Sequence, residues 1–221
     1  MPKSSRNEDL PETGQVFERK PAVATTTSFD GLTFKVADPQ ETLRALDLRR
    51  QLYTEELGHH GIDEFDQFAH QLVARGADGE IVAALRIVGP DHRPFDLECL
   101  VPLSDFLTPD RLPAEIARFC VRRDSRRVQK DHLIHIGMLK LTVAFARKHR
   151  LTDFVTLGLP HLLNLYRVAF FRPLRTSCEH PIWGTVVPMR LDLLELEAWC
   201  LGSDEPLARL LTEADSPNII V

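Results

Sequence analysis

The spacing of hydrophobic positions changes along the chain, and the changes mark the elements. "LTFKVA" (32–37) reads as a first strand. "DPQETLRALDLRRQLYTEEL" (38–57) switches to helical spacing, with Asp38 as N-cap, Pro39 at the first helical position and Glu41 completing a capping box. Arg49 and Tyr53, four apart, share a face of that helix. "GHHGIDEFDQFA" (58–69) is glycine-punctuated and acidic and predicts a loop. "HQLVAR" (70–75) and "EIVAALRIV" (80–88) flank the turn signature "GADG" and predict a hairpin. The second run is apolar on both faces except for Arg86, which predicts a central strand with one arginine turned inward.

Residues 89–112 are punctuated by prolines and predict a long connection with at most a short helix. A strand is expected over 114–121, then a buried helix over 133–150 whose last turn is basic, as the helix dipole favours. "DFVTLGL" (153–159) reads as a strand, "HLLNLYRVAF" (161–170) as a short helix and "GTVVPMRL" (184–191) as a strand. "LDLLELEAWC" (191–200) and "EPLARLLTEA" (205–214) are expected to be helical. A hairpin followed by a β-α-β unit predicts an α/β sheet of mixed polarity. Residues 1–28 are polar and without periodicity, a flexible tail; 29–221 form one domain.

Composition narrows the function classes. Of 221 residues, 43% are hydrophobic and 27% charged, ordinary globular values. A net charge of −5 gives no sign of a nucleic-acid partner. The four cysteines form no CxxC pair, which predicts reduced thiols in a cytoplasmic setting rather than zinc or disulfides. No apolar leader or membrane-length stretch is visible. The histidines lack HExxH-type spacing, so no metal is expected; neither a GxGxxG, a P-loop nor a G-x-S-x-G elbow is present.

The chemistry concentrates in "PAEIARFCVRRDSRR" (113–127). Glu115 and Arg118 are three apart, so a regular strand would turn them to opposite faces, whereas a bulge would bring them to one. Inward-facing Arg49, Arg86 and Arg118 need counter-charges. The "DEFD" loop (63–66) and Glu115 are the candidates, with Glu64, Asp66 and Glu115 expected to form the network. Arg122, Arg123, Arg126, Arg127 and Lys130 lie between a strand and a helix N-terminus and predict an anion site.

The order strand, basic loop, helix, strand and "LYRVAFF" resembles the GNAT acyltransferases. In that family a bulged strand precedes a pantetheine-pyrophosphate loop, and a later tyrosine, here Tyr166, lies near the leaving thiol. Arg49 with Tyr53, "EFD" at 64–66, Arg86, and Glu115-x-x-Arg118 followed by Phe119 and Val121 resemble the acyl-homoserine-lactone synthases and the bacterial N-acyl amino acid synthases. Ala69 stands where the former carry an acid, and residues 54–62 lack their tryptophan, so the latter resemblance ranks first.

The resemblance implies a GNAT-like mixed sheet flanked by helices and transfer of a fatty acyl group from acyl carrier protein or acyl-CoA to a small amine. That amine is an amino acid or, in the alternative, S-adenosylmethionine. A non-catalytic acyl-binding protein on the same scaffold is a third reading. Glu115 is the expected base and Tyr166 the acid. Arg86 and Arg118 either bind the acceptor's carboxylate or hold the acidic residues Glu64 and Asp66 in place, the structural role being favoured for Arg118 and the choice open for Arg86; Arg49, Tyr53, Phe119 and Val121 bind substrate. The basic run meets the carrier, no cofactor is needed, and the acyl chain is expected between splayed strands near 119 and 154.

Overall fold

The computed structural model describes residues 29, 31–126, 128–213 and 216–221, with the backbone alone for 128–130. The expected tail (1–28) and Arg127 lie outside them. Strand β1 (Thr33–Val36) leads into α1 (Pro39–Leu57). Asp38 accepts from the Gln40 and Glu41 amides at 3.0 Å, and Glu41 accepts from the Asp38 amide at 3.1 Å, the capping box its spacing predicts. Then come β2 (His70–Arg75), β3 (Ile81–Val88), β4 (Pro113–Val121), α2 (Val128–Lys148) and β5 (Asp153–Gly158). The last part holds α3 (Leu163–Val168), β6 (Arg172–Pro173), β7 (Cys178–His180), β8 (Gly184–Asp192), α4 (Leu193–Gly202), α5 (Pro206–Thr212) and β9 (Ile219–Ile220).

The sheet runs β6-β8-β5-β4-β3-β2-β1-β9, with β7 paired to β8. β4 and β5, and β1 and β9, are parallel; the other pairs are antiparallel. Ile134, Met138, Leu141 and Phe145 of α2 form the main core against one face, with Phe34, Leu72 and Ile87. Ala45 and Leu52 of α1 cover part of the other face over Val73, Ala84 and Cys120. The rest of that face is covered by the 89–112 connection, whose Phe95, Leu97, Val101 and Leu103 are buried with Val88 and Val155. This segment holds three 3-10 turns rather than a loose connection. α2 starts at Val128, five residues before the expected 133, because its first turn, "VQKDH", carries little apolar signal. The short strands β6, β7 and β9 have too few residues to show a period.

β4 and β5 pair only at Pro113–Asp153, Ala114–Phe154 and Glu115–Val155. From Ile116 and Thr156 onward they diverge, so one edge of β4 has no strand partner among the described residues. The split therefore opens beyond Phe154, which is a buried core residue and not a wall of the gap. At the base, fully buried Asp153 accepts from Arg111 Nε at 2.7 Å and Arg190 Nε at 2.6 Å, fixing where divergence begins.

Helix α2 approaches the sheet closely at Gly137, where an added Cβ would sit 2.1 Å from Phe34 Cζ. Phe34 is fully buried and has little room to yield. Gly137→Ala is therefore expected to destabilise the fold by ~1–3 kcal/mol despite alanine's better helix propensity, read as a lower urea midpoint.

Candidate active site

The pairing of β3 with β4 runs Arg86–Ala117 and then Ala84–Cys120, so two residues, Arg118 and Phe119, oppose Leu85 alone. Arg118 sits at φ 59°, in the left-handed region. The strand's facing reverses at this bulge. Ile116 packs toward α2 before it, and Phe119 and Val121 do so after it. Arg118 thus joins Glu115 on the α1 face, as the sequence requires of a bulged strand.

The carboxylates that meet the arginines are partly different from those expected. Asp63 caps a 3-10 turn over Glu64–Gln67 and bonds both Arg86 Nη1 and Arg118 Nη2, the latter at 2.6 Å. Asp66 lies 2.8 Å from Arg49 Nη2 and 3.5 Å from Arg86 Nη1, and Gln71 bridges Arg49 and Asp66. Burial works against Asp63's charge, but Arg86 and Arg118 outweigh it and hold the carboxyl below its ordinary value. Glu64 is exposed and makes no ion pair among the described residues. In the turn, Asp63 and Asp66 point inward and Glu64 does not.

Asp96, from the 89–112 connection, gathers a second group. Its oxygens lie 3.1 Å from His180 Nε2, 3.3 Å from Trp183 Nε1 and 3.5 Å from Arg118 Nη2. His180 Nδ1 accepts from the Ile182 and Trp183 amides at 3.1 and 3.2 Å, so Nε2 carries the proton toward Asp96. With both ring nitrogens engaged, the nearby Asp96, Cys99 and His180 do not present a ready metal site. The Arg118 guanidinium stacks 4.0 Å over Trp183, and Trp183 packs on His59 and Tyr53. Asp96, His180, Trp183 and His59 carry no sequence signal toward this site, because the β7–β8 hairpin that delivers two of them has no recognisable pattern.

Among the described residues Glu115 is buried without a charged partner in contact. Its Oε1 accepts from the Leu97 amide at 2.9 Å, and Oε2 has no hydrogen-bond partner among the described residues. Burial pushes its carboxyl up to about 7; the Leu97 amide lowers it, Asp96 adds to the rise, and Arg86 and Arg118 act against it. It therefore stands outside the ion-pair network in which it was expected.

A cavity of about 1650 Å³ passes through the gap between β4 and β5. Tyr53, Asp96, Glu115, Arg118 and Trp183 line it on one side of the sheet, and Phe119, Ile136, Leu139 and other apolar residues on the other. Tyr166 also lines it, lying against Gly158, where a Cβ would come 3.2 Å from its ring. Burial raises the Tyr166 phenol above its usual value, with Thr156 acting in the opposite direction. Arg49, Arg86 and Asp66 are sealed behind this surface, and Val121 belongs to the core, so these positions support the cavity rather than line it.

The basic run is largely neutralised within the chain. Arg122 pairs with Asp124 at 2.7 Å, Arg123 with Glu55 and Glu56 at 3.1 Å, and Arg126 with Glu56 at 2.9 Å. Of these arginines only Arg126 lines the cavity. Arg127 and the side chain of Lys130 fall outside the described residues. A bare cationic face is thus not what these arginines form.

Residues 48–135 match the family described as acetyltransferase (GNAT) domain. The architecture is the GNAT fold. FeeM, an N-acyl amino acid synthase from uncultured soil microbes, superposes with a TM-score of 0.66 at 14% identity, over 76% of this chain and 93% of its own. The CoA-dependent acyl-homoserine lactone synthase BjaI gives 0.63 at 16%, over 86% and 93%. The acyl-homoserine lactone synthase LasI gives 0.57 at 14%, over 86% and 95%. No curated protein matches by sequence. Among the described residues no helix is long and apolar enough to cross a membrane.

Glu115 makes stability depend on pH. Between the ordinary carboxyl value of 4.5 and about 7, the folded chain keeps a proton that the unfolded chain has released. The group's contribution is full below that window and is lost as pH rises through it. Glu115→Gln lacks this loss, so its stability relative to the wild type is expected to rise across the window by on the order of 1–3 kcal/mol, measured by urea unfolding at stepped pH.

Proposed function

We propose that the protein transfers a fatty acyl group from a phosphopantetheine thioester, on an acyl carrier protein or coenzyme A, to the α-amine of an amino acid. The observation that carries this is the through-sheet cavity, which joins a raised-pKa carboxyl, an arginine and a tyrosine to a long apolar wall. Its volume exceeds the ~300–1,000 Å³ of ordinary small-ligand pockets, leaving room for donor arm, acyl tail and acceptor together.

An amino acid's α-amine is mostly protonated near neutral pH. Glu115, bordering the cavity with its Oε2 unpartnered, takes the ammonium proton directly or through a water. The amine nitrogen then bonds to the thioester carbon, and the unpaired edge of β4 beyond Glu115 offers backbone N–H groups to the oxyanion. Collapse breaks the C–S bond; the Tyr166 phenol, held protonated by its burial, supplies a proton to the thiolate and regains one from the acylated nitrogen, which becomes the neutral amide, while Glu115 releases its proton to solvent. Arg118, facing the cavity while anchored by Asp63, meets the acceptor's carboxylate. Arg86, fully buried, holds Asp63 and Asp66 in place. The likeness to FeeM and the absence of the autoinducer-synthase acid at Ala69 favour an amino acid over S-adenosylmethionine.

The test is purified protein with acyl carrier protein or coenzyme A thioesters and mixed amino acids, products read by mass spectrometry. N-acyl amino acids are expected; an acyl-homoserine lactone formed only with S-adenosylmethionine would overturn the assignment. Glu115→Gln is expected to lose turnover while remaining folded, and wild-type kcat should climb with pH around an apparent pKa of about 7.

Tyr166→Phe should lower kcat by ~10²–10⁴ with KM little changed. An unchanged kcat would reduce Tyr166 to packing.

A further inference from the structure

The cavity does not end where the strands part. On the α2 side it continues to Leu191, Thr142 and Leu210. Leu191 pairs with Phe154, which pairs with Ala114, so this end lies beneath the closed part of the sheet. Thr142 lies about two turns along α2 from His135, another residue lining the cavity. Helix α5 supplies the wall there through Leu207 and Leu210, while its Ala208 and Leu211 are buried in the core.

Two polar contacts hold α5 against α2. Lys140 is a charged residue on the buried face of α2, its side chain 4% exposed, and its Nζ lies 3.0 Å from Glu213 Oε2 just past α5. Arg147 Nη1 donates to the Leu211 carbonyl at 2.7 Å. A buried ammonium is costly unless paired, so Lys140 is best satisfied with α5 in place.

Resting on the acyl-transfer reading, we infer that α5 is the end stop of the acyl site: Leu207 and Leu210 set the longest saturated chain accepted, and the Lys140–Glu213 pair keeps the stop in position. Clearing the wall admits further methylenes, each of which tightens binding by about fourfold when fully taken from water. Filling it excludes them.

The test measures occupancy without turnover. Saturated fatty acids of stepped length compete with a fluorescent fatty acid for the wild type and for Leu210→Ala, Leu207→Trp and Lys140→Met. Thermal melts establish that each variant is folded. The length that binds most tightly should move longer in Leu210→Ala and shorter in Leu207→Trp. Lys140→Met should broaden the preference toward longer chains. Should Leu207→Trp not fold, the shift in Leu210→Ala decides. If folded variants bind the probe but keep the wild-type preference, α5 is not the stop and the acyl reading stands. If the wild type takes neither the probe nor any fatty acid, the acyl reading falls and this inference with it.

Discussion

The site depends on one extra residue in β4: Arg118 and Phe119 together face Leu85 across the β3–β4 ladder. Holding a non-glycine residue at a left-handed φ costs ~1–3 kcal/mol and persists only where surrounding contacts impose it. Here Asp63 grips the Arg118 guanidinium, Trp183 stacks on it and Asp96 approaches it from the side. The bulge also sets the facing of the strand beyond it, sending Phe119 to the oily side of the sheet while Arg118 stays on the polar side.

Two buried guanidiniums, Arg49 and Arg86, with a third, Arg118, at the cavity wall beside them, would be untenable without Asp63 and Asp66. Their pairing has a further effect on Glu115. Arg86 and Arg118 are in direct contact with Asp63, so their pull on Glu115 acts without contact and does not overcome its burial. A carboxyl on the same face as two cations therefore keeps its proton to near neutrality. The network holds Asp63 in its charged form and leaves Glu115 poised to exchange a proton.

Much of this arrangement was legible in the sequence. The capping box, the β2–β3 hairpin, the inward Arg86 and the bulge each follow from local spacing, and local spacing survives folding. The choice between Asp63 and Glu64 does not follow, because in a tight 3-10 turn one residue's rotation decides which carboxylate faces inward. Trp183, His180 and Asp96 were out of reach for another reason: they come from a three-residue strand with its turn and from an irregular connection, neither of which has a period. The arginine run looked cationic in one dimension; its partners Glu55 and Glu56 are some seventy residues earlier in the chain.

The passage through the sheet makes the exit of product a question of traffic. In the reaction proposed above, an acylated acceptor would carry its polar head on the α1 face and its tail on the α2 face, with the paired strands closing one end of the slot. Such an amphiphile cannot back out along its own axis on the head side without drawing the whole tail past Glu115 and Arg118. The route the diverging strands leave is sideways, along the open end between β4 and β5, with head and tail moving together. Each methylene that reaches water on the way adds ~0.8 kcal/mol to the climb, so longer products of the proposed reaction would linger, and the protein would pass from catalyst to container as the chain it carries grows.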